Sequence, residues 1–99
     1  MKNVIKIEQI LKKREEILKT CAKYGAYDVR IFGSIARGEA DELSDIDILV
    51  KFESGRTLLD HAGLILELEK ILKCKVDVVS EKGLKPRIKN RILKEVISL

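Results

Sequence analysis

Tryptophan is absent from this chain of 99 residues, and proline and histidine occur once each. The two cysteines, Cys21 and Cys74, lie far apart and form no C-x-x-C pair. A structural zinc site takes four ligands, which two scattered thiols and His61 do not supply. Both cysteines are expected to be reduced, buried small hydrophobes. No stretch approaches the roughly 18 uninterrupted apolar residues of a membrane span. Met1 to Lys6 run straight into a charged amphipathic stretch, which is no signal peptide. Aromatic residues make up only 4%, as Tyr24, Tyr27, Phe32 and Phe52, so a stacking platform for nucleic acid is missing. These absences set aside the collagen-like, secreted and membrane classes and lead to the expectation of a cytoplasmic protein.

What is present is a small core with a charged surface. Apolar residues make up 45% and charged residues 36%, with 20 basic against 16 acidic side chains and a net charge of +4. An excess that small is weak support for nucleic acid as a direct partner. A chain of this length holds one core, so residues 1–99 are expected to be a single domain.

Ile7, Ile10, Leu11, Ile17, Leu18 and Cys21 recur at helical spacing and predict one amphipathic helix of about five turns, ending near Tyr24-Gly25. Asp28 to Phe32 reads as a strand, broken at Gly33-Ser34. Ile35-Ala36-Arg37 allows only a short helix before Gly38, and Glu39 to Ser44 is a polar loop. Asp45 to Phe52 alternates, with Ile46, Ile48, Val50 and Phe52 on one face and Asp45, Asp47, Leu49 and Lys51 on the other. Thr57 is the expected N-cap of a helix through Leu72, whose buried stripe is read as Leu58, Leu59, Ala62, Leu64, Ile65, Leu68 and Ile71. Lys75 to Val79 predicts a third strand. A last helix follows Gly83, with Pro86 in its first turn and Ile88, Ile92, Val96 and Leu99 as its stripe. The order α-β-α-β-α-β-α predicts an α+β fold with a three-stranded mixed sheet flanked by helices.

The chemistry concentrates between Gly33 and Asp47. Residues i and i+2 of a strand share a face, so the carboxylates of Asp45 and Asp47 converge on one region, while Ile46 and Ile48 anchor the other face in the core. Hard oxygen ligands of this kind favour Mg²⁺. An acidic, solvated strand start is the plainer alternative. Gly33-Ser34, at the end of a strand and the start of a short helix, lets backbone approach an oxyanion and adds a hydroxyl donor. No Gly-Lys-Ser/Thr follows, so this is no Walker A loop. For one ligand to touch both pieces, the first two strands must run antiparallel. The third follows a helical crossover and should run parallel to the second. If Val76 and Val78 face the core, Asp77 joins the face of Asp45 and Asp47, where a lone buried aspartate is unfavourable unless paired or metal-bound.

Gly33-Ser34, ten intervening residues and Asp45-x-Asp47 resemble the signature of the DNA polymerase β-like nucleotidyltransferases. The fuller run Phe32-Gly33-Ser34-x-Ala36-Arg37-Gly38, with Ser44-Asp45-x-Asp47 and Leu49-Val50, is similar to the minimal nucleotidyltransferase (MNT) branch. Ile92 to Val96 resembles the usual C-terminal helix of these proteins. The resemblance implies a nucleotidyltransferase fold. It also implies two Mg²⁺ ions held by the catalytic triad Asp45, Asp47 and Asp77, with ATP placed by Gly33, Ser34, Arg37 and Ser44. Ser44 is expected to cap the turn into the second strand and orient Asp45; Arg37 is assigned to the triphosphate, with a plain surface role as the alternative. MNT proteins are similar to antitoxins that silence HEPN-type toxins by adding AMP to a tyrosine, so a HEPN toxin is the expected partner. Two alternatives stay open. One is a non-enzymatic antitoxin that acts by contact. The other is a catalytic subunit that nucleotidylates a small molecule or nucleic acid with a second chain.

Overall fold

The computed structural model of the chain describes residues 6–41 and 44–99. The amino-terminal stretch 1–5, and Glu42 and Leu43 of the polar loop, lie outside the described residues. In place of one long first helix there are two, α1 (Ile7–Lys12) and α2 (Arg14–Lys23). Lys13 leaves helical geometry at φ −103° and ψ 15°. Its Nζ donates to the carbonyl of Ile71 at 2.6 Å, a tether that periodicity does not reveal. Ile10 and Ile17, on either side of this break, are both fully buried.

Helix α2 ends at Tyr24, and Gly25 at φ +78° turns the chain into β1 (Ala26–Phe32). A short turn, α3 (Gly33–Ala36), precedes β2 (Ile46–Phe52). Thr57 caps α4 (Leu58–Leu72) as expected: its hydroxyl accepts from the Leu59 amide at 3.2 Å, and Asp60 accepts from the Thr57 amide at 3.0 Å. Then come β3 (Val76–Ser80), a 3₁₀ turn (Glu81–Gly83), α5 (Pro86–Leu93) and β4 (Ile97–Ser98). β1 and β2 are antiparallel, as site geometry required, and β2 and β3 are parallel, as the helical crossover between them predicts.

Three readings are corrected. The sheet has four strands, in the order β3-β2-β1-β4, because the carboxyl end is a strand and no helix. The Glu95 amide bonds to the Ile92 carbonyl at 3.0 Å, closing the last turn, and the β-branched pair Val96-Ile97 then suits extended backbone. Ile97 pairs with Ile31, and the Leu99 amide reaches the Val29 carbonyl at 2.9 Å. The third correction concerns α4. Leu58 and Leu59 are 85% and 84% exposed, whereas Leu64, Leu68 and Leu72 are buried. At about 100° per residue, Leu59 stands opposite the Leu64–Leu68 stripe. His61 takes the inward place in that turn, its Nε2 2.6 Å from the Val78 carbonyl.

The core lies on one face of the sheet. Ile31, Ile46, Ile48, Val50, Val76 and Val78 meet Ile17 and Cys21 of α2 and Leu64 and Leu68 of α4. α2 lies against β1 and α4 against β3. Burial pushes the Cys21 thiol up to about 11, and Cys74 is only half-buried. A thiol reagent near neutral pH is therefore expected to label Cys74 and to reach Cys21 only in denaturant. Equal labelling of both in the native protein would contradict this packing. Among the described residues no helix is long and apolar enough to cross a membrane.

Candidate active site

The core residues of β2 and β3 leave alternate positions on the opposite face, and there the acids gather. Asp47 pairs in register with Asp77 on β3 and with Phe32 on β1. Adjacent strands lie about 4.8 Å apart, so Asp47 and Asp77 are neighbours across the ladder. Asp45 stands two residues before Asp47, just ahead of β2, where the Ile46 amide bonds to the Lys75 carbonyl at 3.0 Å. Asp47 is half-buried, while Asp45 and Asp77 are exposed, so the group opens to solvent.

The residue that follows Phe32 meets the same carboxylate. Gly33 sits at φ +77°, and a β-carbon there would run into the Asp47 carboxylate oxygen. Glycine is thus required twice, for its dihedral angle and for this close approach. Ser34 and the short helix α3 continue from it. Burial first, then the charges of Asp77 and Asp45, push the Asp47 carboxyl above its ordinary value. Arg37 opposes that shift, and Glu95 adds to it. The carboxylates are therefore close enough to repel one another, and nearby positive charge is favourable.

Among the described residues no three acidic, histidine or cysteine side chains close into a metal cage. An open set of hard oxygen donors fits Mg²⁺, which keeps several waters and completes its shell with substrate phosphate. The crowding at Asp47 is the observation that supports this fit.

Arg37 follows α3 and holds Glu39 with Nε at 3.0 Å and Glu95 with Nη1 at 3.2 Å. Ser44 immediately precedes Asp45. Its amide bonds to the Asp41 carbonyl at 3.1 Å, and its hydroxyl accepts from the Asp41 amide at 3.0 Å and donates to the Asp41 carboxylate at 3.2 Å. It caps the turn as expected, but its contacts are with Asp41 and not with Asp45.

Two neighbours of the site escape a reading of the sequence. Arg30, buried in mid-strand beside Leu49, donates to the Asp28 carbonyl at 2.8 Å and pairs with Glu81. The bond from Arg30 holds the Glu81 carboxyl below its ordinary value, helped by the charges of Arg30, Lys51 and Lys89. The pair ties β1 to the turn after β3. A charge between Val29 and Ile31 was its only signal. Glu95 has no local signal at all, because its partner Arg37 is 58 residues away.

Comparison with known proteins places this arrangement. Residues 5–99 match the family model described as a nucleotidyltransferase domain. The protein adenylyltransferase MntA of Thermococcus cleftensis is 41% identical over 91 residues, covering 92% of this chain and 90% of the relative. The solved structure of a provisionally assigned minimal nucleotidyltransferase superposes with a TM-score of 0.87 at 55% identity, covering 96% of this chain and 97% of the other. A tri-AMPylated Shewanella oneidensis HEPN toxin in complex with an MNT antitoxin shares the fold, with a TM-score of 0.67 at 18% identity, covering 89% of this chain and 69% of that one. With a family model spanning nearly its whole length and a relative of such high identity matched end to end, the chain belongs to the nucleotidyltransferases, in their minimal branch.

Proposed function

We propose that this chain is a Mg²⁺-dependent protein adenylyltransferase that moves AMP from ATP onto a tyrosine of a HEPN-type toxin and thereby acts as its antitoxin. The observation that carries the reading is the close approach of the Asp47 carboxylate to Gly33, where a β-carbon would collide with it, which supports reading the proposed phosphate cradle and the acids as one site. The adenylyltransferase relative and the AMPylated HEPN complex support the choice of donor and acceptor.

The division of labour follows from the side chains. Gly33 admits a phosphate close to backbone, and the Ser34 hydroxyl donates to a phosphate oxygen. The Arg37 guanidinium adds a fixed positive charge for the triphosphate. Asp45, Asp47 and Asp77 would hold the Mg²⁺ ions. When bound, the ions supply charge neutralisation for the triphosphate and lower the pKa of the acceptor hydroxyl. The acceptor oxygen forms a bond to the α-phosphorus as the bond from that phosphorus to the bridging oxygen of pyrophosphate breaks. Asp77, exposed on the same face, is assigned to take the hydroxyl proton. Because the transferred group is already activated, positioning and electrostatics carry the rate enhancement. The chain is read as a catalytic domain working in the cytoplasm, with the toxin supplying the acceptor surface.

Calorimetry tests the metal assignment. ATP is expected to bind in the presence of Mg²⁺ and much more weakly in EDTA, because three carboxylates without metal repel a triphosphate. Equal affinity in both conditions would remove the metal site.

A further inference from the structure

We propose that Glu95, together with Glu39, is a positioning residue that holds Arg37 ready for the nucleotide. The inference rests on the reading of Arg37 as a ligand of the triphosphate. Glu39 takes Nε at 3.0 Å, and both oxygens of Glu95 lie 3.2 Å from Nη1. Among the described residues Nη2 carries no hydrogen bond. The two carboxylates therefore occupy Nε and Nη1 and leave Nη2 for a phosphate oxygen. A long side chain loses rotamer freedom when it captures a ligand, and one already pinned loses less.

Glu95 is itself held in place by the carboxyl end of the fold. Its amide closes the last turn on Ile92, and two residues later Ile97 pairs with Ile31 of β1. Continuing that antiparallel register would set Glu95 opposite Gly33. The charge of Glu95 also acts on Asp47, which places it beside the acids. The strand that periodicity misses thus delivers a carboxylate to the phosphate cradle. An arrangement in which the triphosphate must first expel Glu95 from Arg37 predicts the opposite mutational effect.

The test is ATP affinity in Mg²⁺, measured by calorimetry on the whole chain with melting temperature recorded alongside. An exposed ion pair is modest in strength, so Glu95→Ala is expected to weaken ATP binding about three- to fivefold while the protein melts near wild type. Glu95→Gln keeps an oxygen that can accept from Nη1 and is expected to retain most of the affinity. Glu39→Ala, at a more exposed position, should weaken binding in the same direction from the Nε side. In an Arg37→Ala background neither carboxylate should matter further, since both act through Arg37. Tighter or unchanged binding in Glu95→Ala and Glu39→Ala, with Arg37→Ala weakened, overturns the positioning role and leaves the nucleotide reading intact. Unchanged binding in Arg37→Ala overturns both its ligand role and the positioning built on it.

Discussion

Replacing any one of Asp45, Asp47 or Asp77 by asparagine is expected to lower AMP transfer by about a hundredfold or more, the loss typical of removing one preorganised charge-stabilising group. Asparagine keeps the shape of the carboxylate and removes the charge that offsets Mg²⁺. On the proposed reading the three losses should not add, because the acids would serve one metal-holding unit. Stability should move the other way. The Asp47 carboxyl is raised by burial and by its acidic neighbours, so it binds a proton more tightly in the folded state than in the unfolded one. The folded state gains from that difference below the ordinary aspartate range, about pH 4. It loses the gain as pH rises through the raised value, and at neutral pH the ionised carboxylate opposes folding of the metal-free protein. Asp47→Asn in EDTA at pH 7 should therefore melt at or above the wild-type temperature, and the advantage should vanish on acidification. Labelled ATP with a co-expressed HEPN-type toxin, the proposed acceptor, scored for AMP on that toxin, reads transfer, and thermal melts read stability. Wild-type transfer in Asp77→Asn would leave a two-acid centre on Asp45 and Asp47. Full silencing of the toxin by all three inactive variants would favour an antitoxin that acts by contact.

Gly33→Val is expected to abolish ATP binding and to destabilise the fold as well. The spacing around Gly33-Ser34 suggests mainly a binding defect, because the missing side chain leaves room for phosphate. The structure adds two penalties. A β-branched residue at φ +77° is strained by about 1–3 kcal/mol, and its β-carbon meets the Asp47 carboxylate. Folding and binding are separable with Gly33→Ala, whose smaller side chain carries no branch. That variant should melt several degrees lower yet remain folded, and its ATP affinity should fall at least about tenfold, or about 1.4 kcal/mol. An Ala variant that binds ATP like wild type would make Gly33 a turn residue only.

The acid face illustrates how far alternation reaches. A strand repeats every two residues, so Asp45, Asp47, Ile46 and Ile48 divide between two faces whatever lies around them. The antiparallel pairing followed from asking that one ligand touch both Gly33 and Asp47, the parallel one from the helical crossover between β2 and β3, and the register Phe32–Asp47–Asp77 agrees with both. The caps of α4 were equally local, since Thr57 and Asp60 interact over three residues. Periodicity failed where it had no neighbour to name. It put Leu64 and Leu68 on the buried side of α4 but ran that stripe too far, because Leu58 and Leu59 are as apolar yet exposed, and Ala62 is exposed as well.

The remaining features depend on chain ends meeting. β4 forms because β1 offers an unpaired edge, and a two-residue strand has too little pattern to betray itself. Lys13, where the first helix breaks, reaches the Ile71 carbonyl from 58 residues away. Arg30 is buried because Glu81 comes to it from the turn after β3. Arg37 is pinned because the carboxyl end carries Glu95 to it across 58 residues. Local spacing was enough to name the acids, the glycine and the faces they occupy. That Glu95 meets Arg37 and Glu81 meets Arg30 was settled only by tertiary structure, because a hydrogen bond depends on distance in space and the chain records only distance along itself.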